Sequence, residues 1–397
     1  MRTVSKTVIG VDFGTQSARA VLVNAENGEI IYSCRKEYPY NSTPVPAIDC
    51  AENLPCATDY EMTLYELLRN VIPEEYRKTV AGICIDATSL TMVLLAEDGR
   101  ALSELDGWSE AAHARVKLWK YHRAQEKADE ALNLARNLQE PFLGRTGGSI
   151  SCEWMLPKLL EVRDEAPEIY SKIDLAMDLC EFLTFRLTGQ LVRSIGSLSY
   201  KCLWAEDLSF PERTFLNGLR AGFYEEYCHF LRGDVRKPGE CAGMLRSELT
   251  KRWGLPEQIP VATGMLDGHT SLATMGAFEP GDAALIVGTS NVCTVQDRKL
   301  QELKDVCGVA QDGMVTGSCG IDTGQSSTGN MLGWFVEHMA GWQIHREAEE
   351  RKISPHQVLA ERIQKPWENK VIAVDWWSGS RNAPCDLTLR GSMSGLE

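Results

Sequence analysis

The sequence predicts an α/β protein whose two related domains face each other across a cleft. Three observations lead there. "TVIGVDF" and "ARAVLV" are apolar runs joined by a turn of small and hydroxylated residues. "AALIV" and "NVCTVQD" repeat that design about 270 residues later, with Gly-Thr-Ser at the turn. Between the two units lie further buried-strand runs and a long, mainly helical stretch, both of which layered α/β domains contain.

The elements can be justified in order. The first two runs are strands, and Asn27-Gly28 then turns the chain into a third strand, "EIIYSC". A helix follows around Tyr60: Thr58 and Glu61 have capping-box spacing, and Leu64, Leu67, Leu68 and Val71 share one face. "AGICIDA" is a buried strand, and "LTMVLLA", closed by Asp98-Gly99, is another. Residues 110–250 read as mainly helical, with 109–137 as one long amphipathic segment. Within them "DLCEFLTFRLTG" is a short helix, with Asp178 as N-cap and Gly189 as stop. Strand character returns at "PVATGMLDG", and "FEPGDAAL" is a linker into the second unit. The final "LRGSMSGLE" reads as the approach to a helix.

Composition narrows the function. The 397 residues carry 41 basic and 55 acidic side chains, a net charge of −14, with no basic block. That argues against nucleic acid or an anionic membrane as partner. No apolar run approaches the roughly 20 residues of a membrane span, and the N-terminus does not have the pattern of a signal peptide. The 13 cysteines are odd in number, irregularly spaced and without a C-x-x-C pair. They read as reduced, mostly buried thiols of a cytoplasmic protein rather than as a disulfide framework or a zinc site.

The first turn carries chemistry. Backbone N–H groups at Gly14 can approach an anion closely, and Thr15 and Ser17 add hydroxyl donors. Asp12 repels phosphate, but it can hold a hydrated Mg²⁺ that bridges phosphate oxygens. The alternative is an ordinary turn in which Asp12 caps a backbone amide. The second unit, with Gly288, Thr289 and Ser290, has Val287 where the first has its acid.

Taken with that turn, "GVDFGTQSARAVLV", a series of further segments resembles the FGGY carbohydrate kinases, and in particular their L-ribulokinase branch. The segments are "LWKYHRAQEKAD", "GGSISCEWMLPKLLEVRDEAPEIY", "SYKCLW", "VATGMLDGHTSLATMGAFEPG", "VGTSNVC", "GIDTGQSSTGNMLGWFVE" and "DWWSGSR". They follow the family's order and span nearly the whole chain. The resemblance implies two ribonuclease-H-like domains of the actin/hexokinase/Hsp70 ATPase superfamily around a cleft. Residues 1–278 would form the sugar-binding domain, and 279–397 an incomplete ATP-binding domain.

The resemblance also implies roles. Asp267 matches the catalytic base, which takes the proton of the attacking sugar hydroxyl. Lys201 matches a sugar contact, and Ser89 lies on a loop that approaches the sugar. Asp322 stands where ribulokinases usually carry glutamate; the shorter side chain shifts the contact or selects another ketose. Glu153 and Trp154 lie on a segment near the sugar cleft, Trp154 reading as core or cleft wall. Gly14, Thr15 and Ser17 would bind the first run of phosphates, Gly288, Thr289 and Ser290 the second, and Asp12 the Mg²⁺. His269 is expected to be a structural hydrogen-bonder, and Arg19 to orient the first loop or pair with a carboxylate. The implied reaction moves the γ-phosphate of ATP to a ketopentose, most simply position 5 of L-ribulose. Another ketose such as xylulose, or a sugar-binding remnant without catalysis, are the alternatives. The family's second domain continues beyond Glu397 and holds the segment that cradles adenine. Weak nucleotide affinity, poor turnover and an exposed sheet edge able to pair in a homodimer are therefore expected.

Overall fold

The computed structural model describes residues 5–38, 54–288, 290–363, 371–382, 386 and 388–395. The opening hairpin starts a seven-stranded sheet. β1 (Thr7–Phe13), β2 (Ser17–Asn24) and β3 (Ile30–Glu37) form an antiparallel meander. α1 (Ala57–Asn70) returns the chain so that β4 (Val80–Ala87) lies parallel to β1, the crossover that parallel pairing requires. A largely helical insertion follows: β5 (Met92–Leu95), α2 (Gln125–Leu138), α3 (Met155–Glu165), α4 (Pro167–Tyr170), β6 (Leu175–Asp178), α5 (Leu179–Thr188), β7 (Val192–Ser194), α6 (Ile195–Lys201), α7 (Arg213–Leu219), α8 (Phe223–Phe230) and β8 (Asp234–Arg236). β9 (Cys241–Met244), α9 (Ser247–Trp253), β10 (Pro260–Ala262) and β11 (Met265–Leu266) complete the sheet. Its order is β3-β2-β1-β4-β10-β9, with β11 also on β4.

α10 (Asp267–Met275) leads to a second, antiparallel sheet. Its strands are β12 (Ala283–Val287), β13 (Asn291–Asp297), β14 (Gly308–Gln311) and β15 (Cys319–Gln325), in the order β12-β13-β15-β14. α11 (Gly329–His338), α12 (Trp342–Arg351), α13 (Pro355–Arg362) and the pair β16 (Ile372–Val374) and β17 (Ser392–Ser394) follow. The repeated strand-turn-strand pattern thus becomes two antiparallel hairpins, β1–β2 and β12–β13. The copies differ at one edge. β1 pairs with β4 on its far side, whereas no strand among the described residues pairs with the far side of β12, and Leu285 and Val287 are exposed.

Two large cores flank the first sheet's function. Ile9, Phe13, Leu64, Leu68, Ile85, Phe182 and Leu183 pack sheet against α1 and α5. Leu156, Leu159, Phe215, Phe223 and Tyr227 hold the helical insertion together. No helix among the described residues is long and apolar enough to cross a membrane.

Four expectations are corrected. Residues 109–124 are turns, and the helix occupies only Gln125–Leu138. Tertiary pairing wins there: Lys117 exchanges backbone hydrogen bonds with Met92, and its side chain is fully buried against Glu161. The cap of α1 is Cys56 with Asp59, whose carboxylate accepts the Cys56 N–H at 3.1 Å; Glu61 is occupied instead by Arg186 and the Tyr65 hydroxyl. Residues 392–394 form the strand β17 rather than lead into a helix, because they find a partner in β16. The cysteines are free where described, but only Cys152, Cys180, Cys202 and Cys319 are buried, so most are at least partly open to solvent. The α5 expectation holds, with Asp178 accepting the Leu179 N–H and Gly189 stopping the helix at φ 72°.

The two sheets meet at Tyr200, at the end of α6. Its hydroxyl donates to the Gly320 carbonyl at 2.7 Å. A Cβ on Gly308, Gly313 or Gly320 would fall 2.7, 2.6 or 2.5 Å from the Tyr200 side chain. Glycine is needed at these places for close approach. Gly320→Ala is therefore expected to cost ~1–3 kcal/mol through overpacking, read as a lowered denaturant midpoint. Tyr200→Phe, which loses only the hydrogen bond, is expected to cost about 1 kcal/mol.

Candidate active site

β1, β4 and β11 are parallel and end together. The register sets Asp12 beside Asp86 and Met265 beside Asp86, so Asp267 emerges one residue beyond Leu266 at the same sheet end. Ligands of open α/β sheets bind at the carboxyl ends of parallel strands. The three aspartates are half-buried. Asp86 was not singled out by the sequence, although "AGICIDA" ends in an acid as "TVIGVDF" does; that parallel was the available signal.

Burial pushes Asp86 well above the usual carboxylate range, and the charges of Asp12 and Asp267 add to the effect. Asp86 also shares a hydrogen bond with Asp12. Burial raises Asp267 to about 7, with Asp12 and Asp178 reinforcing the shift and the Gly268 N–H and Lys201 opposing it. The Gly268 N–H donates to Asp267 Oδ1 at 2.7 Å, which aims the carboxyl from the first turn of α10.

The candidate sugar residues come together from both sheets. Lys201 Nζ lies 3.3 Å from Asp322 Oδ2, and His269 Nε2 lies 3.8 Å from the same oxygen. Burial alone would raise Asp322, but the Lys201 charge and the His269 hydrogen bond hold it at about 2. His269 is buried edge-on to the Tyr200 ring, and its Nδ1 has no hydrogen-bond partner among the described residues. Glu153 accepts from His122 Nε2 at 3.1 Å and from Arg381 at 3.2 Å. Against burial, Arg381 and His122 hold Glu153 down at about 2. Arg381 also lies over the Trp119 ring, 5.0 Å from its centroid, and the Trp119 N–H donates to Thr15 Oγ1 at 3.1 Å. His122, Trp119 and Arg381 lie inside the motif segments, and nothing in their spacing marks them for these contacts. Trp154 is core. Arg19 is exposed.

Ser89 sits between β4 and β5, half-buried, and its hydroxyl has no partner among the described residues. The next residue, Leu90, has φ 55°, a left-handed conformation that costs a side-chain-bearing residue roughly 1–2 kcal/mol.

At the first turn the Gly14 N–H donates to the Ser17 carbonyl at 3.2 Å. Ser17 opens β2, buried, and its hydroxyl accepts from Arg35 Nε at 3.0 Å. At the second turn the Gly288 N–H donates to the Ser290 carbonyl at 3.0 Å, and Gly329, at the start of α11, donates to the Gly288 carbonyl at 2.9 Å. Thr289 lies outside the described residues. Asn291 Oδ1, Ser326 Oγ and Thr328 Oγ1, which flank this turn and the start of α11, are buried without partners among the described residues. Buried polar atoms are rarely left so unless a ligand or water completes them.

This architecture, two hairpin-led sheets around a carboxylate cluster, is that of a phosphotransferase cleft, and comparison with known proteins gives the family. The model for the N-terminal domain of the FGGY family of carbohydrate kinases matches residues 7–275. The chain belongs to this family. It is 32% identical over 401 residues to a ribulokinase of Halalkalibacterium halodurans, covering 98% of this chain and 71% of that protein. It is 35% identical over 406 residues to a ribulokinase of Mycolicibacterium smegmatis, with the same two coverages, 98% and 71%. Among solved structures, a xylulose kinase from Rhodospirillum rubrum superposes with a TM-score of 0.74 at 20% identity, covering 99% of this chain and 73% of that one. A gluconate kinase from Lactobacillus acidophilus gives 0.75 at 19% identity, again over 99% and 73%. These two likenesses bear on the fold.

The raised Asp267 pKa has a sign that can be tested. The folded chain keeps a proton there between about pH 4 and 7 that the unfolded chain has released. Stability is therefore lost as pH rises through that window, and the full penalty is present above it. Asp267→Asn is expected to raise the denaturation midpoint at pH 8 and to leave it unchanged at pH 4. The gain should be ~1–2 kcal/mol, moderated by the carboxyl's opening to water.

Proposed function

We propose that the chain transfers the γ-phosphate of ATP to the terminal hydroxyl of a ketopentose, L-ribulose at position 5 in the first instance. The observation that carries this reading is the placing of Asp267. Burial raises its carboxyl to about 7, with the charges of Asp12 and Asp178 adding to the shift and Lys201 opposing it. That is where a general base gains most at neutral pH. The ribulokinase relatives, matched over nearly the whole chain, favour a ketopentose as the acceptor.

In this reading Asp267 accepts the proton as the sugar oxygen attacks. Lys201 and Asp322, paired with each other in the cleft, turn to the sugar hydroxyls and hold it in line. Ser89 adds a free hydroxyl from the opposite wall, and Glu153 orients that wall through His122 and Arg381. Gly14, Thr15 and Ser17 border the phosphates from the first domain, and Gly288, Thr289 and Ser290 from the second. The unpartnered oxygens around α11 accord with a ligand at the second turn.

The donor chemistry also fits Mg²⁺. No set of three or more His, Cys, Asp or Glu side chains among the described residues forms a metal cage. Mg²⁺ keeps most of its waters and uses one or two carboxylates with substrate phosphates. Asp12, with Asp86 beside it, would supply those carboxylates. Bound there, the ion would neutralise phosphate charge during transfer. In this reading the domain boundary falls at 278/279, between the two sheets.

A second reading is supported by Asp322, which is one methylene shorter than the glutamate expected in a ribulokinase. That difference favours a kinase whose preferred ketose is not L-ribulose. A coupled ADP-release assay over a panel of ketoses decides between them. Ketopentose-dependent release is expected, strongest with L-ribulose. In Asp267→Ala it should fall by ~10²–10⁴-fold while calorimetry still detects ketose binding; loss of binding together with turnover would remove Asp267 from the role of base. Asp322→Glu is expected to shift the L-ribulose to D-xylulose preference by on the order of tenfold.

A further inference from the structure

Lys158, in α3, is fully buried, and among the described residues no carboxylate touches its ammonium. Burial lowers its pKa to about 8, with Glu153 and Asp178 acting on it only through space, so it remains an ammonium at pH 7. A buried charge persists only where its donors are satisfied. Lys158 has three, and each meets a backbone carbonyl: Leu90 at 2.8 Å, Leu118 at 2.9 Å and Lys117 at 3.4 Å. These carbonyls belong to two separate segments. One carries Ser89, and the other leads directly into Trp119.

Leu90 is held from its other side as well. Its N–H donates to Asp178 Oδ2 at 3.0 Å, and that oxygen also accepts from the Ser197 hydroxyl at 2.8 Å. Ser197 lies in α6, one turn before Lys201. The left-handed residue beside Ser89 thus has its C=O bound by a buried cation and its N–H by a buried anion. The start of the loop is tied to the first turn: the Thr88 N–H donates to the Phe13 carbonyl at 2.9 Å, and the Thr88 and Thr91 hydroxyls pair at 2.7 Å.

We propose that Lys158 is a positioning residue for ketose recognition: its ammonium locks the Ser89 loop and the Trp119 segment into one cleft wall before the sugar arrives. This rests on the reading that Ser89 faces a ketose. An apolar side chain could fill the space, but it would leave three converging carbonyls without donors. Lys158 touches no sugar in this arrangement; it acts through Leu90, Lys117 and Leu118. The effect is preorganisation, which removes an ordering cost from binding.

The test is calorimetric titration of L-ribulose into the full chain and into Lys158→Met, which keeps the length and removes the donors. The expected result is a dissociation constant raised ~10–100-fold with unchanged stoichiometry, because the folded protein still has one site that is no longer held in shape. A merely structural lysine would instead lower the stoichiometry, as less protein folds, and leave the constant unchanged; that result overturns the proposal. Wild-type protein that binds no ketopentose overturns the ketose reading itself, a separate failure. Should Lys158→Met not fold, amide hydrogen exchange on the wild type decides. Peptides covering residues 88–92 and 117–119 are expected to be protected already without ketose. Free exchange there until ketose is added would show that the wall is not preset.

Discussion

Three parallel strands that end level with one another force three carboxylates into one small volume. Asp12, Asp86 and Asp267 sit at the ends of β1, β4 and β11 because the register allows nothing else. Burial is the main reason that Asp86 and Asp267 retain protons far above their ordinary range, and the neighbouring acids add to it. The same burial costs stability as pH rises and keeps the Asp267 carboxyl protonated up to about pH 7.

The rest of the site answers that cluster with opposite charge and with rigid attachment. Lys201 faces it from α6, and its partner Asp322 comes from β15 of the second sheet. The two meet because Tyr200, the neighbouring residue, is seated where three glycines leave room for its ring. A second tie runs from Glu153 through Arg381 to Trp119 and on to Thr15 of the first turn. The two sheets and the first turn are therefore joined by side-chain contacts as well as by loops. Buried charges such as Lys158 and Asp178 belong to the same scheme: each holds backbone in a conformation that local preference would not choose.

Much of this was readable from residues in order along the chain. The two hairpins, β4 and α5 with its Asp178 cap and Gly189 stop follow from apolar runs and turn residues, Asp12 from the turn it precedes, and Asp267 from the family resemblance. The failures share a cause. Residues 109–124 have the periodicity of a helix, yet they lie extended and turned because Lys117 pairs with Met92 and buries its side chain against Glu161. Residues 392–394 found a strand partner in β16 that local pattern could not announce. Asp86 holds the same second-to-last place in its strand as Asp12, a parallel present in the sequence, but only the lateral pairing with Asp12 and Met265 shows that the acids meet.

The sequence by itself determined the class of fold, the family resemblance and the identity of most groups that can do chemistry, because these depend on short-range spacing and on side-chain type. Tertiary structure alone decided which of them meet. Lys201 and Asp322 are far apart in the chain, as are Glu153 and Arg381, and their contacts exist only once the two sheets close on Tyr200. It also decided protonation. A carboxyl's pKa is set by burial and by the charges that packing brings beside it, and neither is a property of the residue in its local sequence.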